Sequence, residues 1–432
     1  MFRFLKGVDA GCKRRSKVSM TAESNYTPNA LGPSSDRFRI GIWMPYKLHS
    51  FYRSMIDEPP DGYEFYDCSV AARHTKMSEA VPVSLVRHSA SLLVKAGIPI
   101  KLFASLTTKT LGRGIPSISY MPGIVSFAGR PYITDAEEAL SSWVGRQSDF
   151  RPFHAVVERA LSSHDCKLIV CWNKATVKSI EYTYETGGFS HKIALATPGV
   201  PLVKARTRLE KKHVTLLFLG SVNVDTPEAF YSKGGHIVLN VFERLQRDLD
   251  NVRLVIRARM PIRFRSAVLS NRSITLIESH LTASQLERLM WESDIMVLPS
   301  LPTPWTGFLD GMNHELPIVT TDTHANAELV ESGKTGFVCS IPRELNTVSH
   351  GYAIPDHRTK VMIDRVWRYE TEQIVSEMVD RIETLVNLPT LRREMGNSGR
   401  MNIAPGGRFS LEQRNKRLKV VLDNALNHEA GV

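Results

Sequence analysis

Asp294-Ile-Met-Val-Leu298, followed by Pro299-Ser-Leu-Pro-Thr-Pro-Trp-Thr-Gly-Phe-Leu-Asp310, decides the fold class of this chain. The first run lacks the polar–apolar alternation of a half-exposed strand, so it suits a parallel strand buried on both faces. Pro299, Pro302 and Pro304 then break the chain, and Gly307 to Asp310 run into a helix. Ligands of open α/β sheets bind beyond the carboxyl ends of strands. Thr306, Gly307 and Phe308 stand at such an end and can supply backbone N–H donors, with Asp310 one turn into the helix.

The same rhythm extends outward. Val214-Thr-Leu-Leu-Phe-Leu219 reads as a strand ending at Gly220, Ile237 to Leu249 as an amphipathic helix, and Arg253-Leu-Val-Ile256 as a strand. Ser284 to Trp291 is a helix capped by Ser284 or Thr282; Pro317-Ile-Val-Thr-Thr321 and Gly336-Phe-Val-Cys339 are further strands. Lys233-Gly-Gly235 opens a helix after the Gly220 turn, where helix N–H groups and a Lys charge suit a phosphate. A Gly-rich loop with a solvated lysine is the competing explanation, since the spacing is neither a Walker motif nor G-x-G-x-x-G. Asn326-Ala-Glu328 and Gly333-Lys-Thr-Gly336 follow at the same sheet edge.

In the first half, Phe38 to Trp43 is the expected first strand, Val83 to Ala96 a helix ended by Gly97, and Pro99 to Phe103 a second strand. Leu168 to Trp172 is a buried strand with Asn173 capping the next helix, and Lys192 to Ala196 a short strand. Pro131 to Glu138 places Asp135 and Glu137 just past a strand, where a carboxylate facing a cleft could hold an acceptor hydroxyl; complementing a helix dipole is the alternative. Residues 342–368 break the rhythm and read as a long insertion loop. Helices follow over Glu370–Leu388 and, with Ser410 as N-cap, Ser410–Leu426.

A chain of 432 residues exceeds one ordinary core and favours two domains. The division expected is a basic leader over 1–36, an acceptor-side domain over 37–203, a nucleotide-binding domain over 204–405 and a C-terminal helix over 406–432. No run of about 18 apolar residues suggests a membrane span. The formal charge of +11 favours anionic partners. Arg3, Lys6, Lys13, Arg14, Arg15 and Lys17 concentrate it in a leader that reads as a disordered tail, with a tether to an anionic membrane face as the competing reading. The leader's apolar patch is too short for a secretory signal. Five scattered cysteines without C-x-x-C argue against a disulfide framework or zinc site and for a reducing compartment.

From Leu281 to Val338 the chain resembles the C-terminal domain of the group 1 (family 4) retaining glycosyltransferases. The resemblance rests on Leu286 to Ser300, Gly307-Phe-Leu-Asp-Gly-Met312, Leu316 to Asp322, and Glu328-Leu-Val-Glu-Ser-Gly-Lys-Thr-Gly-Phe337. Weaker echoes are Phe218-Leu-Gly220 with Lys233-Gly, the hinge-like Thr197-Pro-Gly-Val200, Gly399-Arg400 and Phe409-Ser410. The resemblance implies a GT-B fold, two Rossmann-like domains facing each other across a cleft, with the C-terminal helix crossing back to the first domain. It further implies that Lys233 binds the pyrophosphate, that Gly307 and Phe308 offer N–H groups to the donor phosphates, and that Asp310 holds the ribose hydroxyls. Glu328 matches a common acid of the family, and Asp135 and Glu137 are similar to an acceptor-side Asp-x-Glu pattern of some members. Gly220, Ser221, Arg257, Leu281 and Thr306 complete the expected donor-binding set.

The departures are specific. Ser221 replaces the usual Arg after Gly220, Pro302 or Thr303 stands where the family has a Glu that contacts the sugar, and Arg257-Ala-Arg259 replaces a Gly-x-Gly. Arg257 or Arg259 is a candidate to supply the lost charge. The expected function is transfer of a sugar from a UDP- or GDP-sugar to an acceptor hydroxyl in carbohydrate biosynthesis, retaining configuration, with no metal and no cofactor. The alternative is a catalytically degenerate binding protein of the same fold. Expected partners are the nucleotide-sugar and a glycan or lipid-linked acceptor, in the cytoplasm and with contact to a membrane through the leader as an open alternative. Nucleic-acid binding is not expected: zinc-finger, RRM and basic-helix signatures are missing, and aromatic and basic residues do not interleave.

Overall fold

The computed structural model describes residues 37–44, 48, 50–69, 101–102, 105–106, 117–144, 151–206, 211–220, 227–348 and 357–426. Among these, the strands form two six-stranded sheets in which every neighbouring pair is parallel. The first holds β1 (Phe38–Ile42), β2 (Tyr63–Asp67), β3 (Ser119–Met121), β4 (Tyr132–Ala136), β5 (Cys166–Cys171) and β6 (Ile193–Leu195) in the order β2-β1-β3-β4-β5-β6. The second holds β7 (Val214–Leu219), β8 (Val252–Arg257), β9 (Ile274–Ile277), β10 (Ile295–Val297), β11 (Ile318–Thr321) and β12 (Gly336–Cys339) in the order β12-β11-β10-β7-β8-β9. Each order reverses once, between β1 and β3 and between β7 and β10. Such switch points open a crevice at the carboxyl ends of the strands.

Central strands carry the apolar runs that parallel sheets require. Val214 to Phe218 in β7 are all buried, as are Leu168 to Cys171 in β5. Helices close both faces. The helix Gly235–Asp248 buries Ile237, Val238, Val241, Phe242 and Leu245, a 3.6-residue stripe that packs into the second core. Thr282, not Ser284, caps the helix Ala283–Trp291, through a reciprocal box with Gln285. Asn173 accepts from Thr176 N at 2.6 Å and starts the helix Lys174–Thr183.

The chain crosses between the sheets twice. After β6 it runs through Thr197-Pro-Gly-Val200, and Val200 N donates to Phe409 O at 3.1 Å on the return strand of chain. Asn313 pins the outward crossing: its Nδ2 donates to Pro201 O at 2.8 Å and its Oδ1 accepts from Val203 N at 3.0 Å. The helix Leu411–Leu426 then packs back on the first sheet, against β5 and β6. Its Arg414, 2% exposed, donates to Ser54 Oγ at 2.8 Å, Ser54 O at 3.2 Å and Glu58 O at 2.7 Å. Tyr63 reaches the same helix, donating to Asp423 Oδ1 at 2.8 Å.

Several expectations change. Lys101 and Leu102 are helical, not part of a strand over 99–103, and the expected helix over 83–96 lies outside the described residues. Residues 342–368 are not one long loop: a 3-10 helix spans Arg343–Val348 and an α-helix spans His357–Tyr369, where Ile363, Val366 and Trp367 are buried at helical spacing. Asp135 lies within β4, and only Glu137 follows it. Strands β2, β3 and β9 were not expected. The leader over 1–36 lies outside the described residues. No described helix is long and apolar enough to cross a membrane.

Arg414 gives a test of how the last helix is fastened. Arg414→Met keeps the length and removes the donors to buried Ser54 and to the backbone carbonyl of Glu58. It should lower folding stability by about 2 kcal/mol in urea titration; an unchanged midpoint would mean the tether is not stabilising.

Candidate functional site

A cleft of about 490 Å³ opens where the carboxyl ends of both sheets meet. Its first wall carries Met44, Tyr52, Lys101, Gly123, Asp135, Glu137 and Trp172; its second carries Gly220, Lys233, Arg257, Thr303, Thr306, Gly307 and Asp310.

Asp135 is 2% exposed and held by donors from four directions. Its Oδ2 accepts from Tyr52 OH at 2.9 Å, Tyr120 OH at 3.1 Å and, more weakly, Trp172 Nε1 at 3.4 Å; Oδ1 accepts from Gly123 N at 2.8 Å. Burial raises its pKa, against the hydrogen bonds from Tyr52, Gly123 and Tyr120 and the charge of Lys101. A carboxylate so saturated acts as a brace for the loop at Gly123 and for the two tyrosines.

Glu137 differs. Among the described residues its carboxylate accepts no hydrogen bond, and burial pushes its pKa up to about 7, opposed first by Lys233 and then by Lys101. Lys233 comes from the other wall, and its own pKa is lowered by burial and supported by Glu137 and Glu138. A carboxyl that titrates near neutrality in a cleft can take or give a proton. Lys101 is likewise depressed by burial and supported by Asp135, Glu137 and Glu138.

Lys233 is aimed by the glycines that follow it. Gly234 adopts φ 74°, and a Cβ there would fall 1.9 Å from Pro299 O, so only glycine fits between the lysine and the loop after β10. The helix Trp305–Asn313 points its N-terminus into the cleft. Thr306 and Gly307 lie in its first turn, where N–H groups have no intrahelical acceptor. Asp310 follows on the same helix, and burial pushes its pKa up to about 7. Arg257 at the end of β8 also lines the cleft; among the described residues its buried Nε has no hydrogen-bond partner. Arg259 is exposed and does not line it, so Arg257 is the candidate for the missing charge.

The cleft thus brings together Asp135, Glu137, Gly220, Lys233, Arg257, Thr306, Gly307 and Asp310. Two expected residues fall elsewhere, and a third cannot be placed. Phe308 is fully buried and its N–H donates to Pro304 O at 3.0 Å, which leaves no donor for a phosphate. Leu281 is outside the lining, where Leu286 and Met290 supply the apolar surface instead. Ser221 lies outside the described residues. Thr303, not Pro302, faces the cleft at the place of the missing acid. Its hydroxyl accepts from Ala325 N at 2.9 Å and pairs with His324 Nδ1 at 3.0 Å, so it is engaged within the protein. Sequence reasoning missed Tyr52, Tyr120, Lys101, Trp172 and His324. Trp172 alone had a signal, closing an apolar strand just before a helix cap.

Among the described residues, no group of three or more His, Cys, Asp or Glu side chains is placed to hold a metal ion.

Comparison with known proteins finds a family match within the second half. Residues 213–347 match the family described as glycosyl transferases, group 1. No curated protein matches the chain in sequence. Among solved structures, Anabaena HepE in complex with UDP-glucose matches at 13% identity and TM-score 0.55, over 89% of this chain and 99% of that one. Sucrose-phosphate synthase from Thermosynechococcus elongatus matches at 11% identity and TM-score 0.51, over 76% of this chain and 77% of that one. S. aureus TarM in complex with fondaparinux, α-GlcNAc-glycerol and UDP matches at 13% identity and TM-score 0.51, over 74% of this chain but 58% of TarM. The segment 213–347 therefore matches the group 1 glycosyltransferase family, and it lies in one half of a GT-B fold.

Proposed function

We propose that the chain transfers a sugar from a nucleoside diphosphate sugar to an acceptor hydroxyl in this cleft. The observation that carries the proposal is the meeting of Lys233 and the N-terminus of the helix Trp305–Asn313 on one wall with Glu137 on the other. Lys233, Arg257 and the N–H groups of Thr306 and Gly307 would hold the departing diphosphate as its charge develops. Asp310 would hold the ribose, and Glu137 would orient or deprotonate the acceptor, with Asp135 fixing the wall behind it. UDP is the preferred nucleotide because structures of HepE and TarM hold it. Retention of configuration, a metal-free reaction, a hexosyl donor, a glycan or lipid-linked acceptor and a cytoplasmic setting belong to the same proposal. So do the domain boundaries at 37–203, 204–405 and 406–432.

The engaged hydroxyl of Thr303 supports a second reading, a binding protein that keeps the cleft but not the chemistry. Turnover of a UDP-sugar by the intact chain separates the two.

Two outcomes test the binding site. Calorimetric titration with UDP, GDP and ADP should find one tight nucleotide, and Lys233→Ala should weaken it about 10- to 100-fold, the loss of a charge-assisted hydrogen bond. Equal binding by the variant would remove Lys233 from the site.

The second outcome concerns pH. Glu137 has a raised pKa, so it is neutral below about 7 and gains charge as pH rises through that value. The new charge repels a diphosphate at Lys233. Affinity for a UDP-sugar, whose diphosphate diester has no proton to lose here, should therefore fall about 3- to 10-fold from roughly pH 6 to pH 8. Glu137→Gln should flatten the profile; an unchanged slope would mean Glu137 does not face the phosphates. By linkage, the ligand-free protein should lose stability as pH rises from about 4.5 to about 7, because over that range the folded state holds a proton that the unfolded state has released.

A further inference from the structure

Glu328 is used by nothing described so far. It sits on the short helix Asn326–Leu329 of the second half, yet its carboxylate lies against the first half. Oε2 accepts from Lys174 N at 2.9 Å and Oε1 from Ala175 N at 2.7 Å. Those N–H groups open the helix Lys174–Thr183, whose N-cap is Asn173. The first turn of a helix has no internal acceptor for them and carries partial positive charge, so a carboxylate there is doubly matched. Asn173 satisfies Thr176 N from within; Glu328 satisfies the other two from across the cleft.

Both ends of this contact lead into the site. On the first side, Trp172 immediately precedes the cap, lines the cleft and meets Trp305 edge to face with ring centroids 6.0 Å apart. On the second side, the segment bearing Glu328 is braced to the loop that follows β10. Asn326 Nδ2 donates to Ser300 O at 3.0 Å and to Thr321 O at 3.1 Å, and Ala325 N donates to Thr303 Oγ1 at 2.9 Å. Thr303 and Trp305 belong to the wall that would hold the donor.

We infer that Glu328 is a closure latch, a positioning residue by which the donor-binding half grips the acceptor-side half. Opening the cleft breaks two charge-assisted hydrogen bonds and bares the start of a helix. Closing restores them and brings the wall carrying Glu137 up to Lys233. The crossing pinned by Asn313 acts as the hinge, and Glu328 sets how long the closed state lasts. The effect on turnover rests on the transferase proposal; the effect on closure does not.

The test uses spin labels at Tyr182→Cys and Leu269→Cys, exposed positions on helices of the two halves, in full-length protein carrying Cys12→Ser. The described cysteines are buried. Without ligand, Glu328→Ala should shift the distance distribution to longer values. UDP affinity should stay within about 3-fold, while kcat with a UDP-sugar falls about 10-fold or more, the weight of two such hydrogen bonds. Lys174→Pro attacks the contact from the other side. Proline is tolerated at the first helical position and deletes the N–H that faces Oε2. It should open the cleft to a lesser degree, and the double variant should be no more open than Glu328→Ala alone. An unchanged distance distribution in Glu328→Ala, or full additivity of the two substitutions, overturns the latch. Should Glu328→Ala fail to fold, an unchanged distribution in Lys174→Pro overturns it equally. If the wild-type chain turns over no UDP-sugar while the distances shift as expected, the latch stands and the transferase proposal falls.

Discussion

Everything in the cleft depends on the opposition of Lys233 and Glu137 across it. Lys233 is half-buried, its desolvation favours the neutral form, and among the described residues its ammonium makes no hydrogen bond. What supports its charge is Glu137, supplied by the opposite wall. Neither group is at ease alone: burial drives the carboxyl toward neutrality and the amine toward deprotonation. An anionic ligand changes that balance, because a diphosphate supplies Lys233 with a better counter-charge and frees Glu137 to hold a proton.

This arrangement is a product of topology. Two parallel sheets each reverse strand order once, and each reversal leaves strand ends and helix starts facing the same crevice. β4 delivers Asp135 and Glu137 to one wall. β7, β8 and β10 deliver Gly220, Arg257 and the loop leading to the helix Trp305–Asn313 to the other. Gly234, with no side chain to collide with Pro299 O, allows the lysine-bearing turn to approach that loop. The hinge at Asn313 and the contact at Glu328 then hold the walls at working distance.

Much of this was legible in the amino-acid order, for physical reasons that also explain the gaps. β5, β7 and β10 are buried on both faces, and so write themselves as apolar runs. β3 is only three residues long and β2, at a sheet edge, alternates only over Tyr63, Glu64 and Phe65, so neither gives a run long enough to detect. The helix His357–Tyr369 was masked by its polar composition, because it buries only one stripe. Lys233, Gly307 and Asp310 could be read because phosphate sites are local, a strand end and a helix start. The cage around Asp135 could not, because Tyr52 lies 83 residues away in the chain. Phe308 shows the limit of carrying over a motif: its N–H is already committed to Pro304 O, which only the traced backbone reveals.

The most direct measurement of the central claim is amide hydrogen exchange with and without UDP. A nucleotide diphosphate seated in this cleft should slow exchange at residues 232–236 and 304–310, on the two elements that converge on it, and leave the far end of the second sheet unaffected. Protection confined to other segments, or none at saturating nucleotide, would contradict the account.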